Sequence, residues 1–215
     1  MTARVVAIDG PAGSGKSTVA RAVASRLGLE YLDTGAMYRS VAYAVLRDSI
    51  DANDGQRVGA LARATAIVVD DRVLVDGADA TAEIRGREVT AIVSAVAAHP
   101  DVRHEMVRRQ RAWADAHGGG VIEGRDIGTV VYPDAPVKVF LTADEDERAR
   151  RRALEAGIEA ADHGAGDIAR RDRFDSTRAI SPLVRARDAL VVDTTGRSVD
   201  EVVDLVLSHA EGRLP

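Results

Sequence analysis

The densest chemistry in this 215-residue chain lies near its start, where Gly10-Pro11-Ala12-Gly13-Ser14-Gly15-Lys16-Ser17 fits the pattern G-x-x-x-x-G-K-[S/T] and is followed by Thr18. A loop of this kind curls so that its backbone N–H groups face a polyphosphate, and the helix that follows adds the positive end of its dipole. Lys16 supplies a point charge for the β- and γ-phosphate oxygens. The Ser17 hydroxyl stands one residue on, where a magnesium ion bridging the same oxygens takes a ligand. The loop predicts binding of a nucleoside triphosphate and leaves the phosphoryl acceptor open.

Four further clusters of charge carry possible chemistry. In Asp33-Thr34-Gly35-Ala36-Met37-Tyr38-Arg39, Thr34 is expected as the N-cap of a helix, and Arg39, one turn in, either lies at the surface or holds a second phosphate. In Glu123-Gly124-Arg125-Asp126, Arg125 is suited to neutralising phosphate; Asp126 either ligates magnesium through water, orients neighbouring arginines, or forms a local ion pair in a turn. The block from Asp144 to Arg152 contains acid-first pairs at i,i+4, Asp144 with Arg148, Asp146 with Arg150 and Glu147 with Arg151. It reads either as a solvated, self-paired face or, with the Gly-rich stretch 162–166 after it, as a closing lid. The segment 170–178 mixes arginines and carboxylates, and pairing of Arg171 with Asp175 on a helix face accounts for it as well as ligand contacts do. The five histidines, His99, His104 and His163 among them, read as surface or packing residues.

These clusters need elements to hold them. Short apolar runs recur at Val5–Ile8, Tyr31–Leu32, Val121–Ile122, Val137–Leu141 and Leu190–Val192. Stretches of helical spacing separate them, at Gly15–Leu27, Gly35–Arg47, Val58–Ala66, Glu83–Ala98, Asp101–His117, Asp144–Ala160 and Val199–Ala210. The alternation predicts an α/β fold with a parallel sheet flanked by helices, in which ligands gather at the carboxyl ends of the strands. One segment departs from it: two β-rich runs around Asp70-Asp71-Arg72 predict a hairpin inserted in the core, which is either an ordinary edge hairpin or part of a functional region.

Composition narrows the function classes. Lysine and arginine total 29 against 34 acids, for a net charge of -5, so there is no global attraction to nucleic acid or anionic membrane, and any phosphate affinity is local. Only Lys16 and Lys138 are lysines, so the remaining basic residues are arginines. No cysteine is present, which excludes disulfides, thiolate metal sites and a cysteine nucleophile. The apolar run before Asp9 is far shorter than the core of a signal peptide, and no run approaches the roughly 20 residues of a membrane span, so the expected location is the cytoplasm.

Taken together the motifs resemble those of the bacterial cytidylate kinases, a branch of the P-loop nucleoside monophosphate kinases. The resemblance runs from Ile8-Asp9-Gly10 to Leu190-Val191-Val192-Asp193 and is carried by GPAGSGKS, DTGAMYR, the Glu83-Ile84-Arg85 helix start, the His99-Pro100-Asp101-Val102-Arg103 step, EGRDIGTVVYPDAPVK and RDRFDSTRAISPL. The last two blocks set it apart from adenylate, guanylate and shikimate kinases. It implies a five-stranded parallel sheet of the P-loop kinase type, a lid, and a small antiparallel β insertion in the acceptor-binding region. Over a single domain, 1–215, the core then covers about 1–60 and 100–215, the insertion about 61–99 and the lid about 145–172. It further implies ATP and Mg2+ at the phosphate loop, with CMP and dCMP as acceptors. Thr34, Ser94, Arg103, Asp175 and Arg178 would contact cytosine or ribose; Arg39, Arg125 and Arg171 would hold the acceptor phosphate; and Asp126 would supply an active-site carboxylate. A monomer is expected. The rival expectations are a kinase for another small acceptor such as UMP, and a regulatory switch that hydrolyses a nucleoside triphosphate without an acceptor.

Overall fold

The computed structural model of the protein describes residues 4–155, 174, 177 and 180–214. In chain order the strands are β1 (Arg4–Asp9), β2 (Tyr31–Asp33), β3 (Ile67–Val69), β4 (Val73–Val75), β5 (Ala78–Asp79), β6 (Gly119–Gly124), β7 (Val137–Thr142) and β8 (Leu190–Asp193). The helices are α1 (Lys16–Leu27), α2 (Thr34–Arg47), α3 (Gly55–Ala64), α4 (Arg87–Ala98), α5 (Pro100–His117), α6 (Glu145–Glu155) and α7 (Val199–Ala210). Five strands form one sheet in the order β2-β6-β1-β7-β8, and β3-β4-β5 form a second, antiparallel one. Both sheets match the expected α/β class. Among the described residues no helix is long and apolar enough to cross a membrane.

The chain divides into two compact units, Met1–Tyr31 with Ala114–Pro215, and Leu32–Trp113. In the first, β1 runs parallel to β6 and β7, and β7 parallel to β8. Central parallel strands are covered on both faces, which is why β1 is buried from Val5 to Asp9 and reads as an apolar run without alternation. Val6 and Ile8 of β1 pack with Val19, Ala20 and Val23 of α1 and with Val202, Val203 and Val206 of α7 in one apolar core. The capping box of Ser198 and Glu201 fixes the start of α7.

Several elements of the second unit depart from the expected helix and strand bounds for local reasons. Asp33, not Thr34, caps α2: its Oδ1 accepts from Ala36 N at 2.9 Å, and Thr34 becomes the first helical residue. Helix α3 begins at Gly55, earlier than its apolar spacing suggests, because Asp54 caps Arg57 N at 3.1 Å. The helix expected over 83–98 is two pieces, a 3-10 turn Glu83–Arg85 and then α4, parted at Gly86, whose ψ of 160° is extended. The hairpin gains a third strand, β5, and its apolar face, with Val73, Val75, Ala80 and Ile84, packs with Ala36 and Ala44 of α2.

Arg109 of α5 secures the far end of α3. Its guanidinium donates to the carbonyls of Thr65 at 2.7 Å, Ala62 at 2.9 Å and Arg63 at 3.2 Å, and its Nε donates to Glu105 at 2.6 Å. Carbonyls at a helix C-terminus lack intrahelical partners, so a cation there answers both the hydrogen bonds and the dipole. Arg109→Met is expected to lower unfolding free energy by about 1.5–3 kcal/mol, the range for hydrogen bonds to charged groups. Lysine should restore only part of it, since one ammonium cannot reproduce the planar fork. Urea denaturation of the three proteins tests this; equal stability of wild type and Arg109→Met would remove Arg109 from this role.

Candidate active site

The phosphate loop leaves β1 at Asp9 and enters α1 at Lys16. Gly10 has φ +151°, and a Cβ built there would stand 2.1 Å from Leu141 O on β7, so the loop can start this close to the sheet only with glycine. Gly13, φ +73°, is equally confined, its Cβ position lying 2.5 Å from Arg148 O of α6.

The loop's carbonyls are taken in turn. Gly10 O accepts from Arg125 Nη1 at 2.6 Å, Pro11 O from Ser14 Oγ at 3.0 Å and Lys16 Nζ at 2.7 Å, Ala12 O from Arg148 Nη1 at 3.1 Å, and Ser14 O from Thr194 Oγ1 at 3.3 Å. Arg151 in turn holds Thr194, with Nη1 donating to Oγ1 at 2.8 Å and Nη2 to the carbonyl at 2.9 Å. No acidic residue lies in the first turn of α1, so nothing there competes with an anion for the helix's positive end.

Ser17 and Thr18 are exposed at the opening of α1. Among the described residues no group of three or more His, Asp or Glu is arranged to hold a metal ion. That donor set fits magnesium carried on nucleotide phosphates, which needs one or two protein oxygens rather than a cage, and the Ser17 hydroxyl suits the role.

Beneath the loop lie three buried carboxylates, Asp9, Glu123 and Asp126. Tyr31 Oη donates to Glu123 Oε1. Burial pushes the Asp9 carboxyl up to about 6, with Asp126 adding to the shift, while the amides of Gly128 and Ile127 and the charge of Lys16 oppose it. Arg125 and Asp126 open directly from the end of β6 into a π-helical turn, Ile127–Val131.

In the second unit, Thr34 is buried at the start of α2, Arg39 is half-buried one turn on, and Ser94 is half-buried on α4. Arg103 of α5 is 3% exposed, with its guanidinium 5.4 Å from the centre of the Tyr38 ring of α2 and its Nη1 donating to Ala97 O of α4 at 3.3 Å. Thus α2, α4 and α5 bring Tyr38, Arg103 and the helix carrying Ser94 together. The residues Arg171, Asp175 and Arg178, and the Gly-rich stretch 162–166, lie outside the described residues.

On α6 the expected pairing is only partly realised. Glu147 binds both Arg150, at 2.9 Å, and Arg151, at 2.8 Å. Arg148 turns to backbone carbonyls, those of Ala12 and of Ala143 at 3.2 Å. Arg148, Arg151 and Thr194 are therefore loop supports that spacing did not reveal; the self-paired pattern concealed the two arginines, and Thr194 carries no sequence signal. Asp9 did offer one, an acid closing an otherwise apolar buried strand.

A strand ending in a glycine loop that wraps the start of a helix, with a lysine over the loop and arginines on its carbonyls, defines a P-loop phosphotransferase. The family model described as cytidylate kinase matches residues 6–212, and the chain belongs to that family. Among its relatives, cytidylate kinase from Mycolicibacterium paratuberculosis is 53% identical over 210 residues, covering 93% of this chain and 92% of that one. Cytidylate kinase from Desulfitobacterium hafniense is 48% identical over 211 residues, covering 94% and 90%. Of solved structures, a gluconokinase from Sinorhizobium meliloti shares the fold with a TM-score of 0.53 at 14% identity, covering 97% of this chain and 93% of that one.

The buried Asp9 carries a pH prediction. As pH rises, the unfolded chain loses this proton near 3.8 and the folded protein only near 6. The stabilisation from the protonated form is therefore complete below the unfolded value and lost as pH climbs through about 6. Two units correspond to about 3 kcal/mol. The stability of wild type relative to Asp9→Asn should fall by up to that amount between pH 4 and pH 7, read from urea denaturation across the range. Parallel profiles for the two proteins would show that Asp9 does not titrate in this window.

Proposed function

We propose that this protein transfers the γ-phosphoryl group of ATP to CMP, giving ADP and CDP, and that dCMP serves as a second acceptor. The observation that carries the reading is family membership along nearly the whole chain, joined to an intact phosphate loop with its lysine, serine and arginines. Phosphoryl transfer asks little covalent chemistry of a protein; alignment and dispersal of negative charge supply the rate. Lys16 stabilises charge on the transferred group, with the loop from Gly10 to Thr18 holding the donor phosphates through the backbone amides of its residues other than Pro11. Ser17 would hold a magnesium ion, which would supply charge neutralisation to the donor phosphates. Arg39, Arg125 and Arg171 hold the acceptor phosphate, and Asp126 orders the arginines around it. The acceptor-binding insertion spans about 61–99 and the lid about 145–172, and the enzyme works as a monomer in the cytoplasm.

Base selection follows from donors that cannot become acceptors. Cytosine presents N3 and O2 as acceptors, whereas uracil presents N3–H. Arg103 and Arg178 on that edge meet acceptors in cytosine and a donor in uracil, and Ser94 accepts from the 4-amino group. Thr34 and Asp175 complete the contacts to the nucleoside. Each buried donor left facing a donor costs about 1–3 kcal/mol, enough to disfavour UMP strongly.

The experiment is ADP release by the purified protein with ATP and magnesium, in the presence of CMP, dCMP, UMP or no acceptor. CMP-dependent release is expected, with UMP at least about tenfold poorer in kcat/KM. Turnover independent of acceptor would replace the kinase reading with that of a hydrolytic switch. Lys16→Ala should lower kcat by about 10²–10³-fold or more in a folded protein. Arg39→Ala should raise KM for CMP while leaving ATP binding near wild type, and lysine should rescue it poorly. An Arg39→Ala variant that weakens ATP alone would move this arginine to the donor side.

A further inference from the structure

Asp9 closes β1 and is 5% exposed. Its Cα stands opposite Gly124 of β6 and Phe140 of β7. Since β6 ends at Gly124, the chain leaves the sheet beside Asp9 and passes at once through Arg125 and Asp126 into the Ile127–Val131 turn. Asp9 Oδ1 accepts from Ile127 N at 2.8 Å and Oδ2 from Gly128 N at 2.7 Å. The first amides of a helical turn have no partners within it. Asp126, at the N-cap position, makes no side-chain cap, and Thr129 Oγ1 is buried with no hydrogen-bond partner among the described residues; the opening of this turn is held by Asp9 on the neighbouring strand.

The tie has a second strand. Arg125 Nη1 donates to Gly10 O at 2.6 Å, so three hydrogen bonds donated by residues 125–128 are accepted by residues 9–10. The turn packs closely on the carboxylate: a Cβ at Gly128 would stand 3.4 Å from Asp9 Oδ2 and 3.3 Å from the Lys138 side chain. A carboxylate suits two converging amides because both of its oxygens accept. An asparagine would satisfy one amide and turn its own NH2 toward the other.

We propose that Asp9 is a positioning residue for phosphoryl transfer, fixing where Arg125 and Asp126 stand without touching either nucleotide. The proposal rests on the reading of Arg125 as a ligand of the acceptor phosphate. A guanidinium displaced by about 1 Å from its place loses rate on the order of 10²-fold, so a clamp one residue away carries catalytic weight.

The test is a double-mutant cycle on the full chain with Asp9→Asn, Arg125→Ala and both together, measuring kcat and the KM for CMP and for ATP. Asp9→Asn should lower kcat/KM for CMP about 10- to 100-fold with KM for ATP within about threefold of wild type. The double variant should lose less than the product of the two single losses, because Arg125 is no longer there to be positioned. Multiplicative losses, an equal loss in ATP affinity, or an Asp9→Asn variant with wild-type kinetics would each overturn the proposal while leaving Arg125 in place. Wild-type kinetics in Arg125→Ala would instead overturn the underlying reading of that arginine, and the proposal with it. Should Asp9→Asn not fold, Asp9→Glu keeps the charge but displaces its oxygens by one methylene. It is expected to lose CMP kcat/KM several-fold with ATP unaffected, and unchanged kinetics would overturn the proposal.

Discussion

A loop that binds polyphosphate has to offer its amides and withdraw its carbonyls, and a peptide carries both in equal number. Here the withdrawal is shared by the loop and the rest of the first unit: the carbonyls of Gly10, Pro11, Ala12 and Ser14 each accept a hydrogen bond from protein. Their donors come from after β6, from the loop itself, from α6 and from after β8. Placing β1 between β6 and β7, with β8 beyond, is what brings these segments around one loop. The sheet order is in this sense a requirement of the loop, and Gly10 against the Leu141 carbonyl marks how closely the two are fitted.

The same economy governs charge. Asp9, Glu123 and Asp126 are buried at the ends of β1 and β6, where carboxylates are costly unless answered. Asp9 is answered by two amides and Glu123 by the Tyr31 hydroxyl. In the second unit the buried cation Arg103 meets the face of Tyr38 and the carbonyl of Ala97. An aromatic face stabilises a guanidinium without neutralising it, which leaves its hydrogen-bonding fork polarised.

Much of this was legible in the residues. The apolar runs located the five strands of the large sheet because buried parallel strands show no alternation, and the phosphate loop announced itself through its glycines and lysine. Capping was less legible: Asp33 and Thr34 are both good caps, and the choice between them depends on which side chain reaches Ala36 N. The break at Gly86 was hidden because helical spacing continues across it. Arg148 and Arg151 looked self-paired on their own helix, and only tertiary packing shows that their guanidinium groups serve the loop. Arg125 and Arg39 were singled out by their position after strand ends, a rule that knows where ligands gather in such sheets but not which carbonyl an arginine will choose.

The central place of β1 has a consequence during synthesis. Arg4 pairs with Gly119, so β1 cannot gain either neighbour until more than a hundred residues after it have been made. At about 5–20 residues per second this delay is on the order of 6–23 seconds. Throughout it an apolar, β-prone segment from Val5 to Ile8 is exposed with no strand beside it. Residues 32–113 are complete before the wait ends. Helix α1, made immediately after the loop, carries the Val19, Ala20 and Val23 face that packs with Val6 and Ile8. It is the earliest cover available to a strand whose partners come more than a hundred residues later, and until they arrive it shelters an apolar strand that would otherwise be open to aggregation.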